Sequence, residues 1–234
     1  MSHFQTTRWS LIQTACHDPA RARPALEQLC RAYRPPVLAY VRRHGHGQAE
    51  AEDLTQEFFA RFLERGWYAS ADPARGRFRA LLLTALRRFL SDQHARAMAE
   101  KRGGGRRASD EDVATIADDG ESPEQAFTRV WVGTVLGHAV ARLQAEWTGA
   151  DKQAQFEQLA PLLVEGDDGE GLRALAAASG IRSNTLAVRL HRMRRRLRQL
   201  VRLELVHTVG SREALEEELA ELRGLAHDPT GQES

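Results

Sequence analysis

Apolar residues recur along this chain at spacings of three and four, and no segment alternates apolar and polar positions long enough to make a strand. Leu, Ala, Arg and Glu dominate, and isoleucine appears only at Ile12, Ile116 and Ile181. The pattern predicts an all-α protein. A short helix is expected at 10–16, and a second at 24–41, with a bend at Pro35-Pro36 and an end at Gly45 and Gly47. A third, at 48–64, places Leu54, Phe58, Phe59, Phe62 and Leu63 on one broad apolar face and turns Asp53, Gln56, Glu57 and Arg61 away from it. After a loop through Asp72-Pro73 and Gly76, a helix at 78–98 carries Leu82, Leu86, Phe89 and Leu90 as its buried stripe.

Three consecutive glycines, Gly103 to Gly105, break the periodicity. From Ala108 to Glu124 there are seven acidic residues and no basic one, the composition of a solvated, flexible linker. It stops at Ser122-Pro123-Glu124-Gln125, which combines an N-cap serine, a first-turn proline and a glutamine three residues after the cap. Further helices are expected at 123–147, 152–164, 171–179, 183–205 and 211–225, with a frayed end after His227. The resulting division is two helical domains, 1–107 and 123–209, joined by an acidic linker at 108–122 and followed by an acidic helical extension at 210–234. In that extension Leu215, Leu219 and Leu222 fall at helical spacing, which reads first as core packing.

The stretch from Leu172 to Leu190 is the most informative. Gly180 suits the left-handed turn at the end of a short helix, and Ser183 is expected to cap a longer one. Leu175, Ile181, Leu186 and Leu190 supply the apolar contacts between the two, with small Ala176 at their close approach. This is the pattern of a helix-turn-helix whose second helix reads a DNA groove. Charge changes the picture here. The chain as a whole is nearly neutral, with 33 basic and 32 acidic residues, yet between Arg173 and Arg202 there are nine arginines and no acid. Such a one-sign surface repels itself unless phosphates neutralise it. Arg182, Arg189, Arg192 and Arg196 are expected to line its DNA side, together with His191, while Leu190, Met193, Leu197 and Leu200 fill the core side. A second basic surface runs from Arg75 to Arg107, with ten basic residues against Asp92 and Glu100. Two tethered basic surfaces imply bipartite contact with one nucleic acid. Only two of the basic residues, Lys101 and Lys152, are lysines; the rest are planar guanidinium forks suited to phosphates and base edges.

Other classes lose ground. Cys16 and Cys30 form no CxxC pair, which excludes a thiolate zinc site and points to a reducing compartment. No stretch approaches the roughly eighteen apolar residues of a membrane span, and Met1 to Trp9 has no charged start followed by an apolar block, so a cytoplasmic protein without a membrane partner is expected. His44 and His46 stand two apart on a loop without a carboxylate motif, and Gly103 to Gly105 lacks the Lys-Ser/Thr of a phosphate loop, so neither metal nor cofactor is expected and no catalytic group emerges. On these residues alone, a stand-alone dimeric helix-turn-helix regulator and a metal-dependent nuclease using His44 or His46 stay open as alternatives.

The order of the pieces resembles the extracytoplasmic-function sigma factors of bacterial RNA polymerase. Ala51 to Leu63 looks like their polymerase-binding helix, Phe78 to Asp92 like the helix that melts and reads the minus-10 element, and Gly180 to Leu200 like the minus-35 reader. Thr7 to Leu11 and Arg202 to Val209 also look like one subgroup of the family. One departure is Arg88, where many members carry asparagine. The resemblance implies a non-enzymatic factor whose partners are core RNA polymerase and promoter DNA, with an anti-sigma regulator left open. It implies polymerase contacts from Asp53, Gln56, Glu57 and Arg61, with Phe58, Phe62 and Leu63 as core. Minus-10 contacts follow from Arg87, Arg88, Asp92, Gln93 and Arg96, and minus-35 contacts from Arg182, Ser183, Asn184, Thr185, Arg189 and Arg192.

Overall fold

The computed structural model describes residues 19–70, 78–103, 120–163, 168–206, 209 and 211–227. Among these residues the fold is all-α, without a strand. The helices are α1 (Pro19–Arg43), α2 (Gln48–Glu64), α3 (Phe78–Gly103), α4 (Pro123–Glu146), α5 (Ala150–Leu159), α6 (Asp168–Ser179), α7 (Ser183–Val206) and α8 (Arg212–His227). Short 3-10 turns follow α2 at Trp67–Ser70 and α5 at Ala160–Leu163. The expected helix at 10–16, the loop at Asp72-Pro73-Gly76, most of the acidic linker and the tail after His227 lie outside the described residues.

Packing divides the chain into two compact units. The first comprises Met1–Thr134 with His207–Glu216, and the second Val135–Val206 with Glu217–Ser234. The residue at which α4 passes from one unit to the other is eleven positions beyond Pro123, so its first turns belong with the helices that precede the linker.

In the first unit α1 and α2 pack along one another, with α3 against α2. α1 runs unbroken through Pro24, Pro35 and Pro36. An interior proline costs a helix about 3 kcal/mol. Here the buried stripe of Leu29, Tyr33, Pro36, Val37, Tyr40 and Val41 outweighs that penalty. The centre of this unit is aromatic. Phe58 lies 5.3 Å from Phe59, 5.7 Å from Phe62 and 5.7 Å from Phe89, and Tyr33 meets Phe78 edge-on at 5.3 Å. Leu82, Leu86, Phe89 and Leu90 of α3 are buried as their spacing predicts, whereas Leu54 and Leu63 of α2 are only half-buried and Ala51 and Thr55 take the inner positions instead.

The second unit has a mainly aliphatic core: Leu143, Leu159, Leu172, Leu186, Leu190, Met193, Leu197 and Leu200, with Phe156 beside Trp147. α6 packs against α7 through a turn in which Gly180 takes φ +68°, a conformation only glycine adopts without strain. The carbonyl of Arg182 accepts the first α7 bond, from the Leu186 amide at 3.2 Å, so Arg182 is the cap and Ser183 the first helical residue. A buried ion pair joins α4 to α7: Arg142 meets Glu204 at 2.6 Å, with the Glu204 side chain only 2% exposed. Along α8, Leu215, Glu218 and Leu222 are buried.

Candidate nucleic-acid interface

The first unit offers one polar face on α2 and one basic face on α3. On α2, Asp53 and Gln56 are exposed, as helical geometry requires of residues opposite Phe58 and Phe62. Glu57 and Arg61, four residues apart, form an ion pair, and Arg61 lies over the Phe89 ring at 5.3 Å. These two side chains are therefore half-buried against the unit's own core and are less available than Asp53 and Gln56. Glu57 has a further partner on α3: the Gln93 amide donates to it at 2.5 Å, while Arg96 donates to the Gln93 carbonyl oxygen at 3.3 Å. One end of the α3 face is thus tied to the α2 face through a single glutamine.

Arg87, Arg88, Asp92 and Arg96 are all exposed on α3. Arg87 is nevertheless engaged: it donates from Nε to Glu124 at 3.0 Å and from Nη2 to the same oxygen at 2.8 Å. The Tyr40 hydroxyl of α1 donates to that carboxylate as well, at 3.2 Å. The hydrogen bond to Glu124 holds the Arg87 guanidinium above its ordinary pKa. Burial raises Glu124, but its backbone hydrogen bond and the Arg87 guanidinium outweigh that and keep the carboxyl below its usual range. Burial pushes the Tyr40 phenol up, the Arg87 hydrogen bond opposes it, and Glu124 adds to the rise.

Glu124 is placed by a capping box. The Ser122 amide donates to Gln125 Oε1 at 2.6 Å and the Gln125 amide to Ser122 Oγ at 3.1 Å, which fixes the first turn of α4 as the sequence pattern predicts. The same turns dock on the first unit by other means. Arg43 donates to the Glu121 carbonyl at 2.7 Å, and Arg129 grips the Glu121 carboxylate at 2.9 and 3.2 Å. Buried Arg79 stacks over Trp131 at 4.6 Å and donates to Thr128 at 3.2 Å. None of Tyr40, Arg43, Arg79, Glu121 or Trp131 carries a motif, and only the three-dimensional fold brings them into these contacts.

In the second unit Arg182, Ser183, Asn184, Thr185, His191 and Arg192 are exposed at and after the turn. Arg189 is half-buried and donates to Gln155 of α5 at 3.1 Å. Arg196, expected on the DNA side, instead grips Glu146 of α4 with bonds of 2.6 to 3.1 Å. Arg194 caps the 3-10 turn, donating to the carbonyls of Leu162 at 2.5 Å and Leu163 at 3.3 Å. The side chains of Arg182, Arg192, Arg195 and Arg198 have no hydrogen-bond or ion-pair partner among the described residues. Leu190, Met193, Leu197 and Leu200 are all buried, as predicted.

Elsewhere, His44 and His46 stack at 6.0 Å, and His46 Nδ1 faces Glu50 at 3.1 Å. Burial pushes the Cys30 thiol up to about 11, which leaves it protonated and a poor nucleophile at neutral pH. Among the described residues no helix is long and apolar enough to cross a membrane, and no cluster of His, Cys, Asp and Glu is arranged to hold a metal ion.

The segment spanning α1 from Leu29, α2 and nearly all of α3 matches the sigma-70 region 2 family model, over residues 29–100. The chain carries a sigma-70 region 2 domain. No curated protein and no solved structure matches the chain significantly. The region 2 domain coincides with the aromatic core and with both faces described on α2 and α3, and it supports a sigma-factor role in polymerase binding and promoter melting.

Proposed function

We propose that this protein is a sigma factor of the extracytoplasmic-function type, a non-enzymatic, cytoplasmic factor that directs core RNA polymerase to promoters. In this reading α2 engages the polymerase, with Asp53 and Gln56 as its exposed contacts and Glu57 and Arg61 shaping the helix behind them. The α3 face, through Arg87, Arg88, Asp92, Gln93 and Arg96, meets the non-template strand of the minus-10 element, where an opened strand offers phosphates and unstacked bases. The α6–α7 pair acts as a helix-turn-helix on minus-35 duplex, with Arg182, Ser183, Asn184, Thr185, Arg189 and Arg192 supplying phosphate and base-edge contacts. The observation that carries the reading is that a region 2 domain is followed, in the same chain, by a glycine-turned helix pair whose second helix exposes a row of arginines.

The test is transcription in vitro with purified core polymerase and fragments of the source genome. The expected result is run-off transcripts with defined starts that depend on this chain. Tight binding to a palindromic duplex without polymerase, and no stimulated initiation, would instead establish a stand-alone dimeric regulator and overturn the proposal.

A further inference from the structure

The Arg87 guanidinium and the Tyr40 hydroxyl come from two helices, α3 and α1, yet they converge on a single carboxylate oxygen of Glu124. Two donors aimed at one oxygen anion form a seat for a tetrahedral or planar oxyanion, and phosphate is the anion a nucleic acid brings. The Arg87 side chain is 55% and the Glu124 side chain 38% exposed, whereas Tyr40 is 3% exposed, so an incoming phosphate approaches from the Arg87 side and meets the Tyr40 hydroxyl only in the place Glu124 vacates. Glu124 does not belong to the same local sequence. It stands 37 residues from Arg87, at the start of α4, on a turn rigidified by the Ser122–Gln125 capping box and held to α1 by Arg43.

We propose that Arg87 and Tyr40 together form a DNA-phosphate site on the α3 face, and that Glu124 is its internal occupant, a latch the promoter strand must displace. The inference rests on the reading that α3 meets the non-template strand, and adds to it both a contact, Tyr40, and a regulator of that contact. Displacement exchanges one charge-assisted pair for another, so the latch sets a threshold without blocking binding. It weakens contact with non-specific strands, which offer little in return, while a strand held open by the polymerase supplies further contacts that offset the loss. Glu121, three residues earlier, is engaged by Arg129 and does not enter the seat, which makes it a natural control of equal charge.

The experiment measures binding of the full-length chain to a fluorescein-labelled, mixed-sequence single-stranded DNA across a salt series. Glu124→Gln keeps the shape of the turn and removes the charge. It is expected to tighten binding about two- to fivefold, the range of an exposed ion pair, and to steepen the salt dependence by about 0.7 in log–log slope. Glu121→Gln is expected to leave both unchanged, and Tyr40→Phe to remove part of the gain in the Glu124→Gln background. The double variant Arg87→Ala/Glu124→Gln is expected to bind like Arg87→Ala alone. If Arg87→Ala weakens binding while Glu124→Gln matches the wild type, the latch is wrong and the DNA role of α3 stands. If Arg87→Ala leaves binding unchanged, the reading of α3 at Arg87 fails and the latch with it. Equal tightening by Glu121→Gln would reduce the effect to bulk charge and overturn the latch.

Discussion

On the α3 face Arg87 is met by Glu124, and on α2 Arg61 is met by Glu57, which also accepts from the neutral Gln93 amide, while Arg88 is exposed with no acidic partner among the described residues. At and after the α6–α7 turn, Arg182, Arg192, Arg195 and Arg198 have no acidic partner among the described residues, whereas Arg196 is held by Glu146. The cores differ in parallel, an aromatic cluster in the first unit and close-packed leucines in the second. The difference teaches that equal arginine content need not mean equal readiness. A guanidinium already neutralised contributes little long-range attraction and must change partners to bind, whereas an unpaired one draws a polyanion from a distance and releases counterions on contact. Under the proposed function, the second unit's unpaired arginines suit a first encounter with duplex, and the Arg87–Glu124 pair suits a contact made after the strand is opened.

The contrast between the cores is broken most forcefully at Phe58, which is fully buried and touches three other phenylalanines. Phe58→Ala is expected to destabilise the first unit by about 3–5 kcal/mol, measured by denaturant unfolding. A loss below about 1 kcal/mol would show that the aromatic cluster is not the centre of that fold. In the second unit, Arg142→Ala strands the Glu204 carboxylate in a buried site. Because Arg142 is itself 48% exposed, the expected loss is discounted to about 2 kcal/mol from the value for a fully buried pair. An unchanged midpoint would mean that Glu204 is satisfied by other means.

The contrast between the basic faces is sharpened by Arg192→Ala, which is expected to weaken binding to duplex DNA and to flatten its salt slope by about 0.9. Arg196→Ala should leave that slope nearly unaltered, because Arg196 is committed to Glu146. Equal slope changes for both variants would erase the distinction between paired and unpaired arginines.

The smallest effect concerns acid stability. The Arg196 hydrogen bond and charge hold the Glu146 carboxyl below its ordinary pKa against a small burial effect. A depressed carboxyl stabilises the fold above its unfolded pKa and loses that contribution as pH falls through the folded value. Wild type should therefore lose slightly more stability than Arg196→Ala on acidification below about pH 4.5, by under about 1 kcal/mol since both side chains are over a third exposed. Thermal melts at pH 7 and pH 3 measure it, and an identical acid response in the two proteins would show that the pair stabilises nothing.

What the sequence by itself determined is whatever depends on neighbours a few residues apart. The 3.6-residue apolar repeat placed α2, α3, α4 and α7 and the buried stripes of α3 and α7, the Ser122–Gln125 box marked the start of α4, and Gly180 marked the turn before α7. It carried α1 through Pro35 and Pro36 with a bend expected there, and placed its start at Pro24, five residues after the observed Pro19. The tertiary structure alone decided which charges meet. Arg87 and Glu124 are 37 residues apart, Arg196 and Glu146 are 50 apart, and Arg142 and Glu204 are 62 apart. Coulomb attraction and hydrogen bonding act over a few ångströms of space with no regard to chain separation, so a run of arginines reveals how much positive charge a face carries but not how much of it has already been answered.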